Sequence, residues 1–350
     1  MKNITTVILV AGKSSRFKSN KSKIFHELAG LPIIDHIYNK VNKISKKIIF
    51  VCNKDNINLL KKKFNNCKFV IQKKQIGTAD AVLSAKKFIK KNSNILILFG
   101  DTPLVTLISL KKLIHNFKIN KSVGSILAFK SNNPFGYGRI IAENNNIVKE
   151  VVEEVNASSY IKKIPLCNAG IMICRYSLLF SFIKNINNKN KKREKYLPDI
   201  FKICFNNKKG FNYILCKEDE MLGINTLDDF NKVDKIYQNI LKKKLIDKGV
   251  EIIDPDTVRI SHDTKIGKYS VIEPFTNIKK GVKISNNVVI KSHSNIESSI
   301  ISNNCSIGPF ARIRPFSKIS NNVKIGNFVE IKNSIIGKNC SISHLTYIGD

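Results

Sequence analysis

The stretch VILVAGKSSRFKSNKSK, residues 7–23, joins an apolar run ending in Ala-Gly to a loop of serines, lysines and an arginine. Gly12 lets backbone come close to a nucleotide, and Arg16 and Lys23 supply fixed positive charge suited to a triphosphate. The loop matches neither G-x-x-x-x-G-K-[ST] nor G-x-G-x-x-G, because Gly12 is its one glycine. A phosphate cradle and a solvated loop both fit that spacing. In FGDTPL, residues 99–104, Asp101 follows directly on the apolar run ILILFG. An acid at the carboxyl end of a strand suits Mg²⁺, which takes one or two protein oxygens and completes its shell with phosphates and water. A turn or cap aspartate is the plainer reading. A third candidate is His344, in an outward-facing position four residues before an isoleucine of a repeat, where an imidazole can take a proton.

The elements that must position these residues are legible around them. TTVILVAG, KKIIFVCN, CKFVIQ, NILILFGD and VGSILAFK are short Ile/Val-rich runs that alternate with helical segments. In TADAVLSAKKFIKK the apolar residues Ala79, Val82, Ala85, Phe88 and Ile89 recur at helical spacing. Strand–helix alternation predicts an α/β domain on a mainly parallel sheet, with ligands at the carboxyl ends of the strands. Those ends carry AGKSSR, QKKQIGTAD and FGDTPL. Residues 226–248 form a long amphipathic helical pattern with Thr226 as its cap.

The last third follows a different ruler. Isoleucine recurs every six residues at 260, 266, 272, 278, 284, 290 and 296, then at 301, 307, 313, 319, 325 and 331, then at 336, 342 and 348, with one five-residue step between each series. The residue two before each isoleucine is always small or β-branched. Period six fits neither a helix nor a hairpin meander. It fits a parallel β-helix whose short strands form the sides of a triangular coil, with the small residue at the tight corner. Three hexads make a coil, so residues 255–350 predict about five coils. The sequence stops at HLTYIGD, and an uncapped last coil would expose unpaired backbone. The expectation is that something covers that edge or that the prism is cut short.

Length, 350 residues, allows two domains, and 43% hydrophobic content suits a folded chain. Eight scattered cysteines with no CxxC argue for free thiols in a reducing compartment rather than a zinc site or disulfide framework. No apolar run approaches the ~20 residues of a membrane helix, and the N-terminal greasy stretch is too short for a signal peptide. A cytoplasmic location is expected. The net charge of +34 is almost all lysine, with seven arginines, and travels with abundant Asn and Ile. That mix fits an AT-rich coding bias better than base readout, so no dedicated nucleic-acid role is expected.

Taken in order, AGK..R......K, QIGTADA, FGDTPL, GYGRI, CNAGI, GINT, the hexapeptide prism, GPFARIRP and SHLTYIGD resemble the bifunctional N-acetylglucosamine-1-phosphate uridylyltransferase / glucosamine-1-phosphate N-acetyltransferase family over the full length. The resemblance implies a Rossmann-like nucleotidyltransferase domain over 1–225, a helical linker over 226–250, and a left-handed parallel β-helix acetyltransferase domain, short at its C-terminus, over 251–350. It implies that Leu9, Val10, Ala11 and Gly12 lie against uridine and its phosphates, that Gln72, Gly77 and Thr78 read uracil, and that Arg16 and Lys23 take phosphate charge. Phe99 and Gly100 lead into Asp101, which with Asn225 would hold Mg²⁺. Gly138, Glu153 and Asn168 fall where the family holds N-acetylglucosamine. In the prism Arg314, Lys332 and Tyr347 would bind sugar phosphate, and His344 would be the general base. The implied partners are UTP, N-acetylglucosamine 1-phosphate, glucosamine 1-phosphate and acetyl-CoA, in a homotrimer. Lys13, Lys18 and Lys21 read as surface lysines. Four positions depart from the family pattern: Ser14 replaces a loop glycine, Ser22 a proline, Ala169 a threonine and Val155 a lysine. The competing readings are another sugar-1-phosphate nucleotidyltransferase and a non-catalytic trimeric scaffold.

Overall fold

The computed structural model describes residues 3–12, 14–120, 122–190 and 193–349. Lys13 lies outside them. The described residues divide into two compact units, one holding residues up to His26 with Ile33–Phe230, the other Glu27–Pro32 with Asn231 onward.

The first unit is built on nine strands: β1 (Ile4–Val10), β2 (Lys47–Cys52), β3 (Lys68–Ile71), β4 (Asn94–Phe99), β5 (Gly124–Lys130), β6 (Arg139–Glu143), β7 (Ile147–Val152), β8 (Leu166–Arg175) and β9 (Phe211–Leu215). Their order is β3-β2-β1-β4-β8-β5-β9-β7-β6. The first four strands are parallel, as expected, whereas β8 runs antiparallel to both β4 and β5. Every residue of β1 is buried, because the sheet is covered on both faces. Val7 and Leu9 enter one core with Ala79, Val82 and Ala85 of helix α2 (Thr78–Ala85). Ile8 and Val10 enter the other, with α1 (Ile33–Val41) and α3 (Leu107–Ile119). Two-residue alternation along each strand thus serves two cores at once. Helix α4 (Leu227–Ile246) begins where the Thr226 cap predicts, and the division between the two units falls after its Phe230.

The second unit is a parallel coil. Its two-residue strands form three sheets of six, six and five strands, each strand pairing with the third one after it. The isoleucine ruler is the register: Ile260 pairs with Ile278, then Ile296, Ile313, Ile331 and Ile348. The ladder is buried except for Ile342 and Ile348 in the last coil, which are partly covered. Most of the small residues two before the isoleucines are buried, Cys340 in the last coil being exposed, and several of their hydroxyls donate to backbone carbonyls. Ser299 Oγ donates to the Arg314 carbonyl at 2.8 Å and Ser270 Oγ to that of Ser285 at 3.0 Å. The sharp corner itself lies one residue earlier than expected. Positions three before the isoleucine, such as Asn322 (φ 61°), Phe310 (φ 54°) and Phe328 (φ 58°), adopt the left-handed conformation. Glycine is the residue least strained there and asparagine tolerates it, as at Asn322, whereas Phe310 and Phe328 carry no sequence signal of a turn.

Candidate functional site

β1 and β4 run side by side, Leu9 opposite Phe99, and deliver their carboxyl ends to one edge. The Gly100 N–H donates to the Leu9 carbonyl at 2.9 Å, locking the two exits together. Gly100 has no room for a side chain, since a Cβ would stand 2.2 Å from Val10 Cγ1. Gly12 differs: a Cβ there would meet nothing within 4 Å. Packing does not demand that glycine, and its bare face opens on a cavity of about 1090 Å³.

Lys23 sits in a short turn, Lys23–Phe25, whose Ile24 and Phe25 anchor in the core. Its buried ammonium donates to Asp101 Oδ2 at 2.6 Å, the Ile224 carbonyl at 2.7 Å and Asn225 Oδ1 at 3.0 Å. Three protons meet three acceptors. Arg16 Nη2 reaches Asn225 Oδ1 at 3.3 Å. The second arm of this cluster is held by two devices. The Ile224 N–H donates to the Asp101 carbonyl at 2.9 Å. Thr226 and Asp229 form a reciprocal cap on α4: Asp229 N–H donates to Thr226 Oγ1 at 3.1 Å, and Asp229 Oδ2 accepts from the N–H groups of Asn225 and Thr226 at 3.0 and 2.9 Å. Residues as far as 202 apart in the chain are therefore fixed around one cation position.

Across the cavity, Gly77 begins α2 with φ +116°, and a Cβ would collide with the Lys195 backbone at 2.4 Å. The Thr78 hydroxyl accepts from the Leu197 N–H at 2.9 Å, so it ties this loop to the 195–197 segment. Gln72, buried after β3, donates through Nε2 to the Gly77 carbonyl at 2.9 Å and Asp80 Oδ2 at 3.0 Å. Asn168 starts a bulge in β8; its side-chain oxygen accepts from Gly170 N–H at 3.0 Å, and its own N–H donates to the Gly138 carbonyl at 2.8 Å. Leu9 to Gly12, Arg16, Lys23, Gln72, Gly77, Thr78, Phe99 to Asp101, Gly138, Glu153, Asn168 and Asn225 all line the same cavity.

One further wall of that cavity, and one brace near it, carry no signal in the local sequence. Tyr196 lines it, and burial together with the Glu194, Glu153 and Asp199 carboxylates pushes its phenol above the ordinary range. Arg139, within GYGRI, is almost wholly buried, paired with Glu154 at 2.7 Å and donating to the Lys162 carbonyl at 3.2 Å. It braces the strand that follows Gly138. Nothing in the local spacing marks a buried arginine. The Ser14 departure has a clear consequence: Ser14 adopts φ 54°, ψ 20°, the left-handed region in which glycine is unstrained.

In the coil, Arg314, Lys332 and Tyr347 lie on or beside successive strands of one sheet, Arg312–Ile313, Glu330–Ile331 and Tyr347–Ile348. Arg314 Nη1 donates to Glu330 Oε1 at 2.9 Å. His344 and Tyr347 are exposed in the last coil, so this imidazole is not a core histidine.

Among the described residues no cluster of three or more His, Cys, Asp or Glu side chains is arranged to hold a metal by itself. The first-unit donor set is one carboxylate and one carboxamide oxygen, hard ligands that already converge on a single cationic group, the Lys23 ammonium. That set fits a hard divalent ion sharing its shell with phosphate oxygens. No helix among the described residues is long and apolar enough to cross a membrane.

Comparison with known proteins agrees with this architecture. The MobA-like NTP transferase domain family matches residues 6–157, and the GMPPB C-terminal domain family matches residues 248–325. The fold is similar to that of a Bacillus anthracis protein assigned as a glucose-1-phosphate thymidylyltransferase, with TM-score 0.55 and 17% identity over 67% of this chain and 94% of that one. The bifunctional protein GlmU of Bartonella quintana is 34% identical over all of this chain and 79% of its own length. GlmU of Zymomonas mobilis is 35% identical over the same shares, and that of Streptococcus agalactiae is 35% identical over 98% of this chain and 79% of its own. Similar from end to end to relatives that share one name, and carrying a nucleotidyltransferase domain ahead of a coil of parallel strands, the chain belongs to the family of the bifunctional protein GlmU.

Proposed function

We propose that this enzyme of UDP-N-acetylglucosamine synthesis transfers UMP from UTP to N-acetylglucosamine 1-phosphate in its first unit, and that its coil, a left-handed β-helix in this reading, carries the acetyltransferase step. The observation that carries the proposal is the convergence of Lys23, Asp101 and Asn225 near the carboxyl ends of β1 and β4, lining the same cavity as the open face of Gly12.

In the uridylyl step a phosphate oxygen of N-acetylglucosamine 1-phosphate attacks the α-phosphorus of UTP. The new P–O bond forms as the bond to the β-phosphate breaks, and pyrophosphate leaves with the electron pair. No proton transfer is required, so the protein's work is alignment and neutralisation of charge. Gly12 and its neighbours bring backbone to the nucleotide. Lys23 and Arg16 stand against the triphosphate, and Gly138, Glu153 and Asn168 hold the sugar. Asp101 and Asn225 would hold Mg²⁺, which when bound supplies further positive charge to the phosphates.

In the coil, the amine of glucosamine 1-phosphate attacks the thioester carbon of acetyl-CoA. His344 takes the proton from the attacking nitrogen, the C–S bond breaks with its electron pair going to sulfur, and coenzyme A leaves as a thiolate that recovers that proton. Arg314, Lys332 and Tyr347 bind the sugar phosphate. The exposure of His344 supports this role, as does the clustering of its partners on one sheet. A homotrimer and a cytoplasmic location complete the reading.

The test is pyrophosphate release from UTP and N-acetylglucosamine 1-phosphate. Asp101→Ala is expected to abolish the Mg²⁺-dependent signal with the circular dichroism spectrum unchanged. Turnover equal to the parent refutes the assignment.

A further inference from the structure

We infer that Asp80 is the residue that fixes which nucleobase the first unit accepts, by locking the orientation of the Gln72 carboxamide. The inference rests on the uridylyl-transfer reading and adds to it a positioning residue outside the cavity wall.

A carboxamide presents either an acceptor oxygen or a donor nitrogen, and the choice is set by its other neighbours. Both hydrogens of Gln72 Nε2 are directed at oxygens of the protein: the Gly77 carbonyl at 2.9 Å and Asp80 Oδ2 at 3.0 Å. Rotating the amide by half a turn would set Oε1 against those same two oxygens, one of them a carboxylate. Neither acceptor has a proton to offer, and the side chain is buried, so the reversed state carries an unsatisfied and repelled oxygen. Gly77 cannot retreat, because the Lys195 backbone fills the space behind it. Gln72 and Gly77 line the cavity, and Asp80 acts from behind them.

The group left to meet a base is therefore the Gln72 oxygen. An acceptor at that place complements the N3–H of uracil and opposes the N3 lone pair of cytosine. A buried polar group left without its partner discriminates strongly between such ligands. Asp80 also occupies the first turn of α2, where a negative charge favours the helix. A residue serving only the helix would change stability without changing base choice.

The experiment compares UTP with CTP as nucleotide substrate, with N-acetylglucosamine 1-phosphate and Mg²⁺, in the full chain and in Asp80→Asn. Asparagine can turn a donor toward Gln72 and remove one of the two barriers to reversal. The ratio of kcat/KM for UTP over CTP is expected to fall about tenfold or more, and Asp80→Ser to fall in the same direction. Calorimetric binding of UTP and CTP with Mg²⁺ reads the same ratio without turnover, so a parent chain that releases no pyrophosphate defeats the functional reading and leaves the Asp80 test standing. A ratio within about twofold of the parent in both variants, with or without a lower melting temperature, overturns the inference. So does a parent chain that binds the two nucleotides equally.

Discussion

Replacing Lys23 by methionine keeps most of a buried stem and deletes the ammonium that three acceptors share. Two separate quantities then change. The first is stability. Asp101 keeps 24% side-chain exposure and opens on the cavity, so water replaces part of what it loses. The loss should fall between an exposed ion pair, about 0–1 kcal/mol, and a buried pair broken on one side, about 3–5 kcal/mol. The partial exposure of Asp101 puts it near the low end, about 1–2 kcal/mol. The second quantity is the barrier. Removing one preorganised charge from a phosphoryl-transfer site costs roughly 10²–10³ in rate. Lys23→Met should therefore unfold at lower denaturant, by about 1–2 kcal/mol, while kcat/KM for pyrophosphate release falls about 100- to 1,000-fold. Circular dichroism in urea gives the first number and a coupled pyrophosphate assay the second. A variant that loses stability but keeps kcat/KM within about threefold of the parent refutes the phosphate role and reduces Lys23 to a structural brace.

Ser14→Gly relieves a left-handed serine and should stabilise the chain by up to about 1 kcal/mol, read by urea denaturation; a lower midpoint would show that the serine has a partner worth more than its strain. Cys340 is the one exposed cysteine among the eight. Burial pushes Cys52, Cys204 and Cys216 up to about 12 and Cys67 and Cys167 up to about 11, leaving them as neutral thiols at pH 8. An aromatic disulfide reagent should therefore titrate one thiol rapidly, and Cys340→Ser should remove that phase; several fast thiols in the native state would contradict the burial pattern.

The parts legible in the sequence are those in which one local pattern has one physical cause. The six-residue isoleucine spacing is legible because each isoleucine fills the same inward position of one coil side, from Ile260 through Ile348. The strand exits at Gly12 and Asp101 are legible because an apolar run ends abruptly in polar residues. The Thr226 cap is legible because its partner Asp229 is three residues away. What escaped depends on distant partners. Glu27–Pro32 belongs with the coil because the Ala29 carbonyl accepts from Ser261 Oγ at 2.9 Å and from the His262 N–H at 2.9 Å, across more than 200 residues of chain. Arg139 is buried by partners on another segment, Glu154 and Lys162. The corners of the coil escaped for the opposite reason: the backbone strain is local, but Phe310 and Phe328 advertise packing rather than a turn. These two stack on neighbouring coils at 5.0 Å between ring centroids. The chemistry at Asp80 was also hidden, since a carboxylate in a helix's first turn has an ordinary explanation in sequence.

The central question is whether the cavity that Lys23 lines joins a uridylyl group to a sugar phosphate. Incubating the full chain with UTP, N-acetylglucosamine 1-phosphate and Mg²⁺, and following both products by ³¹P NMR, measures this directly. The account predicts pyrophosphate and UDP-N-acetylglucosamine appearing in equal amounts and stopping when EDTA is added. UTP left intact, or UTP cleaved with no sugar nucleotide formed, contradicts it.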